Sequence, residues 1–429
     1  MDVNDSVITL TLTGMAQGGA AFGRHAGKMV FAYYALPGEE VRVEVTDDRG
    51  KYAFARLLEV LRPAPERIAP RCAHFGVCGG CQWQHAAYAA QLRYKQAIVV
   101  DQLTRIGGLQ APRVLPTVPS PQEWHYRNHV RFVPVAVPAE TGDEAPPELA
   151  LGFHALESHD VVPIRECHII DPALADLHAS LDIDPEGFAA VQLRAGVRAG
   201  EAMLVFETED EAPPEIEVDL PVSAALLLPD GEAATLIGET VLVEEVRGRA
   251  FRVSPGSFFQ VNTPVADLLV ERVLGYLAPQ GGETVLDAYC GVGLFSAFCA
   301  PHCARLIGIE ASAGACADFA ANLDEFDNVE LYQGMVEYVL PELVAGGLRA
   351  DAAVLDPPRA GCAPEVLQAF VDAGVKRLVY VSCDIATLAR DIKRLTALGY
   401  RLVEALPVDM FPQTYHTEVV ACLVQEQKG

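Results

Sequence analysis

The run Leu378-Val-Tyr-Val-Ser-Cys-Asp384 ends an apolar stretch in a thiol and a carboxylate. Further on, Phe411-Pro-Gln-Thr-Tyr-His-Thr-Glu418 adds an imidazole and a second carboxylate just before another apolar stretch. A thiolate is a strong nucleophile and a carboxylate can move a proton, so Cys383 and Glu418 are candidates for covalent catalysis. Ser382, Cys383 and Asp384 are polar or reactive together, and Ala386–Leu398 reads as helix. A helix N-terminus lowers the pKa of a nearby thiol, so Cys383 is expected to be activated in that way. The competing reading is an inert thiol in the core, because free cysteine is among the most buried residue types.

A second constellation precedes these. Thr284-Val-Leu-Asp-Ala-Tyr-Cys-Gly-Val-Gly-Leu-Phe295 reads as a strand, a glycine-rich turn and the start of a helix. Glycine allows a tight bend and a close approach of backbone to ligand. The pair Gly291 and Gly293 lacks the third glycine of the dinucleotide fingerprint, and Asp287 stands at the strand end. Glu310 ends the next strand, where a carboxylate can accept hydrogen bonds from both ribose hydroxyls of an adenosine. A nucleotide-type ligand fits this pattern better than an ordinary glycine turn. The third strand ends in Gln333-Gly334-Met335, and the fourth in Asp356-Pro357-Pro358-Arg359. Two prolines make a rigid extended exit without backbone donors, which suits Asp356 being held against a ligand. Amine methyltransferases have Asn-Pro-Pro and an aromatic residue at a similar place, and Arg359 disfavours amine chemistry.

A thiolate beside a methyl donor has a defined use. Carbon 5 of uracil is a poor nucleophile. Addition of the Cys383 thiolate to carbon 6 makes an enolate whose carbon 5 can attack a sulfonium methyl. A base, Glu418, must then remove the carbon-5 proton so that the thiolate can leave. The target base must first be taken out of its stack.

A third group is Cys72-x5-Cys78-Gly-Gly-Cys81, followed much later by Cys167 in Pro163-Ile-Arg-Glu-Cys-His168. Four thiolates suit a cubane iron–sulfur cluster or a zinc ion, and spacing alone leaves both open. The x5-then-x2 spacing does not match the radical cofactor-cleaving enzymes, which favour x3 and x2.

The elements that must position these residues fall into three regions. Val7–Thr13, Lys28–Tyr34, Glu40–Val45 and Tyr52–Val60 read as short strands separated by Gly-containing turns, which suggests a small barrel over residues 1–62. Pro63, Pro65 and Pro70 mark a boundary. Residues 63–255 hold the cysteines, a helical stretch at Ala86–Ile106, and a strand-rich part with Pro/Glu-rich loops at Val137–Pro147 and Glu207–Glu217. In residues 256–429, apolar strands alternate with helical stretches: Thr284–Ala288, Arg305–Glu310, Val329–Gln333, Ala352–Asp356, Arg377–Ser382, Arg401–Val408 and Glu418–Gln425. That alternation predicts an α/β domain with a parallel sheet, ending in a hairpin-like pair.

The bulk composition bounds the function. A chain of 429 residues, 51% hydrophobic and 21% charged, can bury cores in two or three domains. Eleven cysteines in a chain without a recognisable signal peptide point to a reducing compartment, the cytoplasm, rather than to a disulfide framework. No apolar run reaches the length of a membrane span, so no membrane partner is expected. The net charge of −26 argues against a general nucleic-acid-coating protein. The acid is unevenly spread, however. Glu201–Val246 holds thirteen acidic residues and no Lys or Arg, whereas Met1–Pro70 holds eight basic and nine acidic residues. A local RNA groove is therefore compatible with the total.

Together these motifs resemble those of the bacterial 5-methyluridine RNA methyltransferases, over nearly the whole chain, and most of all the cluster-containing 23S ribosomal RNA branch. The resemblance implies a Rossmann-like class I methyltransferase domain, an N-terminal TRAM domain of the OB-like barrel type, and a middle α+β domain carrying an iron–sulfur cluster. It implies S-adenosylmethionine as methyl donor, contacted by Gln260 (in Ser257-Phe-Phe-Gln-Val-Asn262), Tyr289, Gly291, Gly293, Glu310 and Asp356. It implies a 4Fe-4S cluster on Cys72, Cys78, Cys81 and Cys167. Cys383 matches the family nucleophile in its Ser-Cys-Asp context, and Glu418 the base in its Phe-Pro-Gln-Thr-x-His-x-Glu context. Two positions depart: Leu294 stands where relatives often carry Asn, and Met335 where they often carry a polar residue. The expected partner is RNA, 23S ribosomal RNA or the T-loop of transfer RNA, and a monomer is the default. Readings of another class are an iron–sulfur redox protein, which would need a second redox cofactor site that the sequence does not display, and a noncatalytic RNA-binding module, which would not need Asp356, Cys383 and Glu418.

Overall fold

The computed structural model describes residues 6–137, 148–181, 187–209 and 222–426. Strands β1 (Val7–Met15), β2 (Ala21–His25), β3 (Lys28–Ala32), β4 (Glu40–Asp48) and β5 (Tyr52–Arg62) close a barrel in the order β1-β2-β3-β5-β4. Alternation drives it: along β1, Leu10, Leu12 and Met15 are buried while Thr9, Thr11 and Thr13 are exposed. The sequence reading missed β2. It is short and ends in Arg-His, and it packs closely. A Cβ at Gly23 would lie 2.3 Å from the Thr11 carbonyl oxygen, so only glycine permits that approach. The strand expected to reach Tyr34 stops at Ala32, and Tyr34 takes a left-handed φ of 61°.

Helix α1 (Tyr88–Arg105) follows the cysteine-bearing segment. Its Ile98, Val99 and Leu103 are buried in one apolar core with barrel residues such as Leu12 and Val43. The strands β6 (His129–Val137), β7 (Glu148–His154) and β8 (Val161–Pro163), helix α2 (Pro172–Ser180), and the strands β9 (Ala190–Gly196), β10 (Glu201–Glu207), β11 (Ser223–Leu227) and β12 (Ala233–Ile237) form the middle region. Their sheet has the order β12-β11-β10-β9-β6-β7-β8. The two expected Pro/Glu-rich loops lie almost wholly outside the described residues. A hairpin of β13 (Leu242–Val246) and β14 (Arg249–Val253) leads to helix α3 (Thr263–Leu277), which Asn262 caps through its side chain.

The last region alternates as expected: β15 (Thr284–Ala288), α4 (Leu294–Cys299), β16 (Arg305–Glu310), α5 (Ala313–Asn322), β17 (Val329–Gln333), α6 (Val336–Ala345), β18 (Ala352–Leu355), α7 (Pro364–Asp372), β19 (Arg377–Ser382), α8 (Ile385–Ala397), β20 (Tyr400–Val408) and β21 (Glu418–Gln425). The sheet order is β17-β16-β15-β18-β19-β21-β20, with β15 to β19 parallel and β21 antiparallel between β19 and β20. Strands buried on both faces need continuous apolar runs, and this is why their ends are sharp in the sequence. Because β21 runs antiparallel, its first residue, Glu418, lies at the carboxyl end of its parallel neighbours.

One buried ion pair ties α1 to the connection between β20 and β21. The Lys95 ammonium, fully buried, donates to Asp409 Oδ1 at 2.5 Å and to the carbonyl oxygens of Phe411 at 3.1 Å and His416 at 2.7 Å. Replacing Lys95 by Met strands the Asp409 carboxylate in the core. We expect a loss of about 3–5 kcal/mol, read as a drop in the midpoint of chemical unfolding. A loss under about 1 kcal/mol would show that the connection is held by something else.

Candidate active site

The strand ends bring the sequence-selected nucleophile and carboxylates into adjacent rows. Leu355 of β18 pairs with Tyr380 of β19, and Ser382 of β19 pairs with Val419 of β21. Asp356, Cys383 and Glu418 therefore leave or enter their strands at the same edge of the sheet. Cys383 is half-buried, so its thiol is not sealed in the core. Glu418 is buried at 4% exposure.

The electrostatics differ from the expectation of a lowered thiol pKa. Burial pushes the Cys383 thiol up to about 11, and the Glu418 and Asp356 carboxylates add to the rise; the Arg359 guanidinium, which hydrogen-bonds the thiol, opposes it. The helix does not rescue the thiol, because the N-terminus of α8 is capped by Asp384, whose Oδ1 accepts from Thr387 N at 2.8 Å. Burial also pushes Glu418 well above the usual carboxylate range, with Asp356 raising it further and Arg359 lowering it. Desolvation lifts Asp356 to about 7. The charge of one carboxylate therefore opposes ionisation of the other. His416 is pushed down to about 4 by burial and by the charges of Arg359, Lys95 and Arg127, and so is neutral at physiological pH.

The glycine turn lies at the same edge. Tyr289, Gly291 and Gly293 all have left-handed backbones, with φ of 63°, 54° and 91°. A Cβ at Gly293 would meet Leu323 Cδ1 at 2.4 Å, while one at Gly291 would meet no atom within 4 Å, so the Gly291 face is open to a ligand. Glu310 accepts from Ala311 N and Ser312 N at 2.8 Å and from Gly291 N at 2.9 Å. Three of its roughly four acceptor sites are thus taken, and one stays available to a hydroxyl. Tyr289 donates from Oη to Glu337 Oε1 at 3.0 Å. Asp287 is buried with Oδ2 accepting from Ser296 at 2.6 Å and Oδ1 without a protein partner; desolvation raises it to about 7. Leu294 packs into the core, whereas Met335 is 54% exposed at the start of α6.

The loop that carries Gln260 has anchors that were not foreseen. The buried guanidinium of Arg194, on β9, donates to the carbonyl oxygens of Ser254, Pro255 and Ser257 at 3.0, 2.7 and 2.9 Å. Asp318 accepts from Ser254 N, Ser254 Oγ and Ser257 Oγ. Asn128 Nδ2 donates to the Gln260 carbonyl at 3.1 Å. The available signal was a charge inside an otherwise apolar strand, Ala-Val-Gln-Leu-Arg-Ala-Gly, because such a charge is rarely buried without partners.

The three cysteines singled out by spacing and the fourth that the resemblance implies converge. Cys72, Cys78, Cys81 and Cys167 all line one cavity of about 270 Å³, together with Phe75, Gln84 and Arg127. All four are free thiols. Burial pushes Cys78 up to about 11, and it raises Cys81 and Cys167, with the thiols adding to one another's shifts. A soft cation or cluster reverses that penalty, because it takes thiolates. Backbone N–H groups support the sulfurs: Gly80 N donates to Cys78 Sγ at 3.3 Å, and Ile169 and Ile170 donate to Cys167. Among the described residues, no three His, Cys, Asp or Glu side chains close on a single point as they would around one ion.

A sheet ordered β17-β16-β15-β18-β19-β21-β20, with antiparallel β21 between β19 and β20 and a glycine turn after β15, has the layout of a class I methyltransferase core, here joined to a five-stranded barrel. Comparisons with known proteins carry this further. Residues 234–426 match the tRNA (uracil-5-)-methyltransferase family, and residues 4–58 match the TRAM domain. An uncharacterized RNA methyltransferase of Halalkalibacterium halodurans is 34% identical, with 98% of this chain and 97% of that protein covered. Another, from Streptomyces avermitilis, is 34% identical with 97% of each covered. Among solved structures, the tRNA (uracil-54, C5)-methyltransferase of Pyrococcus abyssi, in complex with S-adenosyl-L-homocysteine, superposes with a TM-score of 0.74 at 25% identity, covering 97% of this chain and 100% of that one. The chain belongs to the TRAM-containing RNA uracil-5-methyltransferase family. It is an S-adenosylmethionine-dependent enzyme acting on RNA, and no helix among its described residues is long and apolar enough to cross a membrane.

The opposing charges around Cys383 give a test. With its pKa near 11 the thiol is mostly protonated at neutral pH, and thiolate increases about tenfold per pH unit below that value. Replacing Arg359 by Gln removes the cation that favours the thiolate. Alkylation of Cys383 by iodoacetamide in the free protein should then slow, and its pH profile should move to higher pH. An unchanged profile would mean that Arg359 does not act on the sulfur.

Proposed function

We propose that this enzyme methylates carbon 5 of a uridine through a covalent Cys383–carbon 6 adduct, with Glu418 as the base. The observation that supports it is the edge-to-edge meeting of a half-buried thiol with two carboxyls and one guanidinium beside the glycine turn. S-adenosylmethionine supplies the electrophilic methyl group, and the residues that would hold it are Gln260, Tyr289, Gly291, Gly293, Glu310 and Asp356. Cys383 adds as a thiolate to carbon 6 of the flipped pyrimidine, and carbon 5 becomes nucleophilic. Once carbon 5 carries the methyl group, Glu418 takes the remaining proton there, and the Cys383–carbon 6 bond breaks with both electrons returning to sulfur. A carboxylate raised by burial is the stronger base for that step.

We divide the chain into a barrel (1–62), a central region (63–255) and a methyltransferase region (256–429). Cys72, Cys78, Cys81 and Cys167 would hold a 4Fe-4S cluster, which in this setting shapes the central region; the thiol-lined cavity and the soft donor set fit it. The cytoplasm is its place of action, where such thiols stay reduced. For the substrate we favour a uridine of 23S ribosomal RNA, on the resemblance of the cysteine pattern to that branch. A transfer RNA uridine is the second reading, and it is favoured by the full-length likeness to the Pyrococcus abyssi enzyme.

Replacing Cys383 by Ala should abolish methylation while RNA binding is kept. Replacing Glu418 by Gln should trap RNA on the protein as a species that survives denaturation; normal turnover without an adduct would remove Glu418 from this role. Mapping 5-methyluridine in RNA from a strain lacking the protein decides the substrate: loss in 23S RNA is the expected result, and loss confined to transfer RNA contradicts it.

A further inference from the structure

The loop that delivers Glu418 is fastened to the cysteine segment through one residue. Gln413 has a left-handed backbone, φ 71°, which glutamine seldom adopts. Its carbonyl oxygen accepts from Gln82 N at 3.1 Å and Trp83 N at 2.9 Å. Its own N–H donates to Gln91 Oε1 at 3.0 Å, and its Oε1 accepts from Gln91 Nε2 at 3.0 Å. The same Gln91 amide donates to the carbonyls of Trp83 at 3.2 Å and Ala86 at 2.9 Å. Both glutamines are buried, at 1% and 2% exposure. On the preceding residue, the Pro412 carbonyl accepts from Tyr126 Oη at 3.0 Å. Gln82 and Trp83 directly follow Cys81, Gln82 Nε2 donates back to the Gly79 carbonyl, and Tyr126 shares an apolar cluster with Cys81 and Cys167. A continuous set of hydrogen bonds therefore runs from the cysteine cavity to the loop that ends in Glu418.

We propose that Gln413 is a positioning residue which, paired with Gln91, fixes the Glu418 loop to the Cys78–Trp83 segment, so that the order of the cysteine cavity sets the placement of the base. This rests on the reading of Glu418 as base. Proton removal needs its acceptor held to a fraction of an ångström, whereas thiolate addition from the end of β19 does not pass through this loop. Disturbing the fastening should therefore act on release of the adduct and spare its formation.

The experiment uses the full-length protein with three variants. Gln91→Leu keeps the bulk and removes the paired amide. Gln413→Asn tolerates the left-handed backbone and keeps the carbonyl contact. Cys81→Ser disturbs the cavity without touching the loop. In Gln91→Leu, amide exchange over residues 411–418 should speed up about tenfold while β1–β5 stay protected. In single-turnover assays the covalent RNA complex should form within about twofold of the normal rate but resolve about tenfold more slowly. Gln413→Asn should fall between the wild type and Gln91→Leu, and Cys81→Ser should show the same rise in exchange at 411–418. Unchanged exchange there in Cys81→Ser, or equal slowing of formation and resolution in Gln91→Leu, overturns the proposal. Faster exchange with normal resolution in Gln91→Leu also overturns the positioning role, whereas normal turnover without an adduct in Glu418→Gln rejects Glu418 as the base, which separates the two failures.

Discussion

The arrangement depends on crowding three acidic groups, Cys383, Asp356 and Glu418, into one partly dehydrated edge faced by the Arg359 cation. Burial raises all three; Asp356 raises Glu418 further, and both carboxylates raise Cys383. That is costly for a nucleophile at neutral pH but useful for a two-stage reaction. A thiol that ionises reluctantly is a reactive anion once formed, and a carboxyl that prefers its proton is a strong base once emptied. Arg359 offsets part of the crowding and is exposed, so incoming RNA phosphate can alter its influence.

The fold meets this constraint by topology. Two of the three groups leave parallel strands at their carboxyl ends, and the third enters on an antiparallel strand slotted between β19 and β20. The first two strands of the same sheet carry the glycine turn, which Glu310 locks through Gly291 N. The rest of the molecule holds loops to this edge. Arg194 and Asp318 hold the Gln260 loop, and Lys95 holds the connection before Glu418. Arg194 comes from the middle region and Lys95 from α1, whereas Asp318 sits on α5 of the methyltransferase region, so the edge is braced both from within that region and from outside it.

Much of this was legible in the sequence, for physical reasons. Strands β15, β16, β19 and β21 were bounded to the residue, because buried strands are apolar runs that stop abruptly at polar chemistry. Spacing singled out Cys72, Cys78 and Cys81, and the family resemblance added Cys167; all four line one cavity. Strand β2 was not legible, since Ala-Phe-Gly-Arg-His alternates weakly and depends on the close approach at Gly23. The direction of the Cys383 shift was misjudged because its causes lie far apart in the chain. Asp356 and Glu418 meet the thiol only after folding, and Asp384 takes the helix terminus for itself. Buried polar anchors such as Gln91 and Gln413, 322 positions apart, are invisible to any local pattern.

The most direct measurement of the central claim uses RNA in which the target uridine carries fluorine at carbon 5. Fluorine cannot be removed by a base as a proton is, so a true carbon-6 adduct must persist after methyl transfer. The account predicts a stoichiometric complex, formed only with S-adenosylmethionine, whose RNA remnant maps by mass spectrometry to the peptide containing Cys383. Methylation of natural RNA with no such complex, or attachment to a different residue, would contradict it.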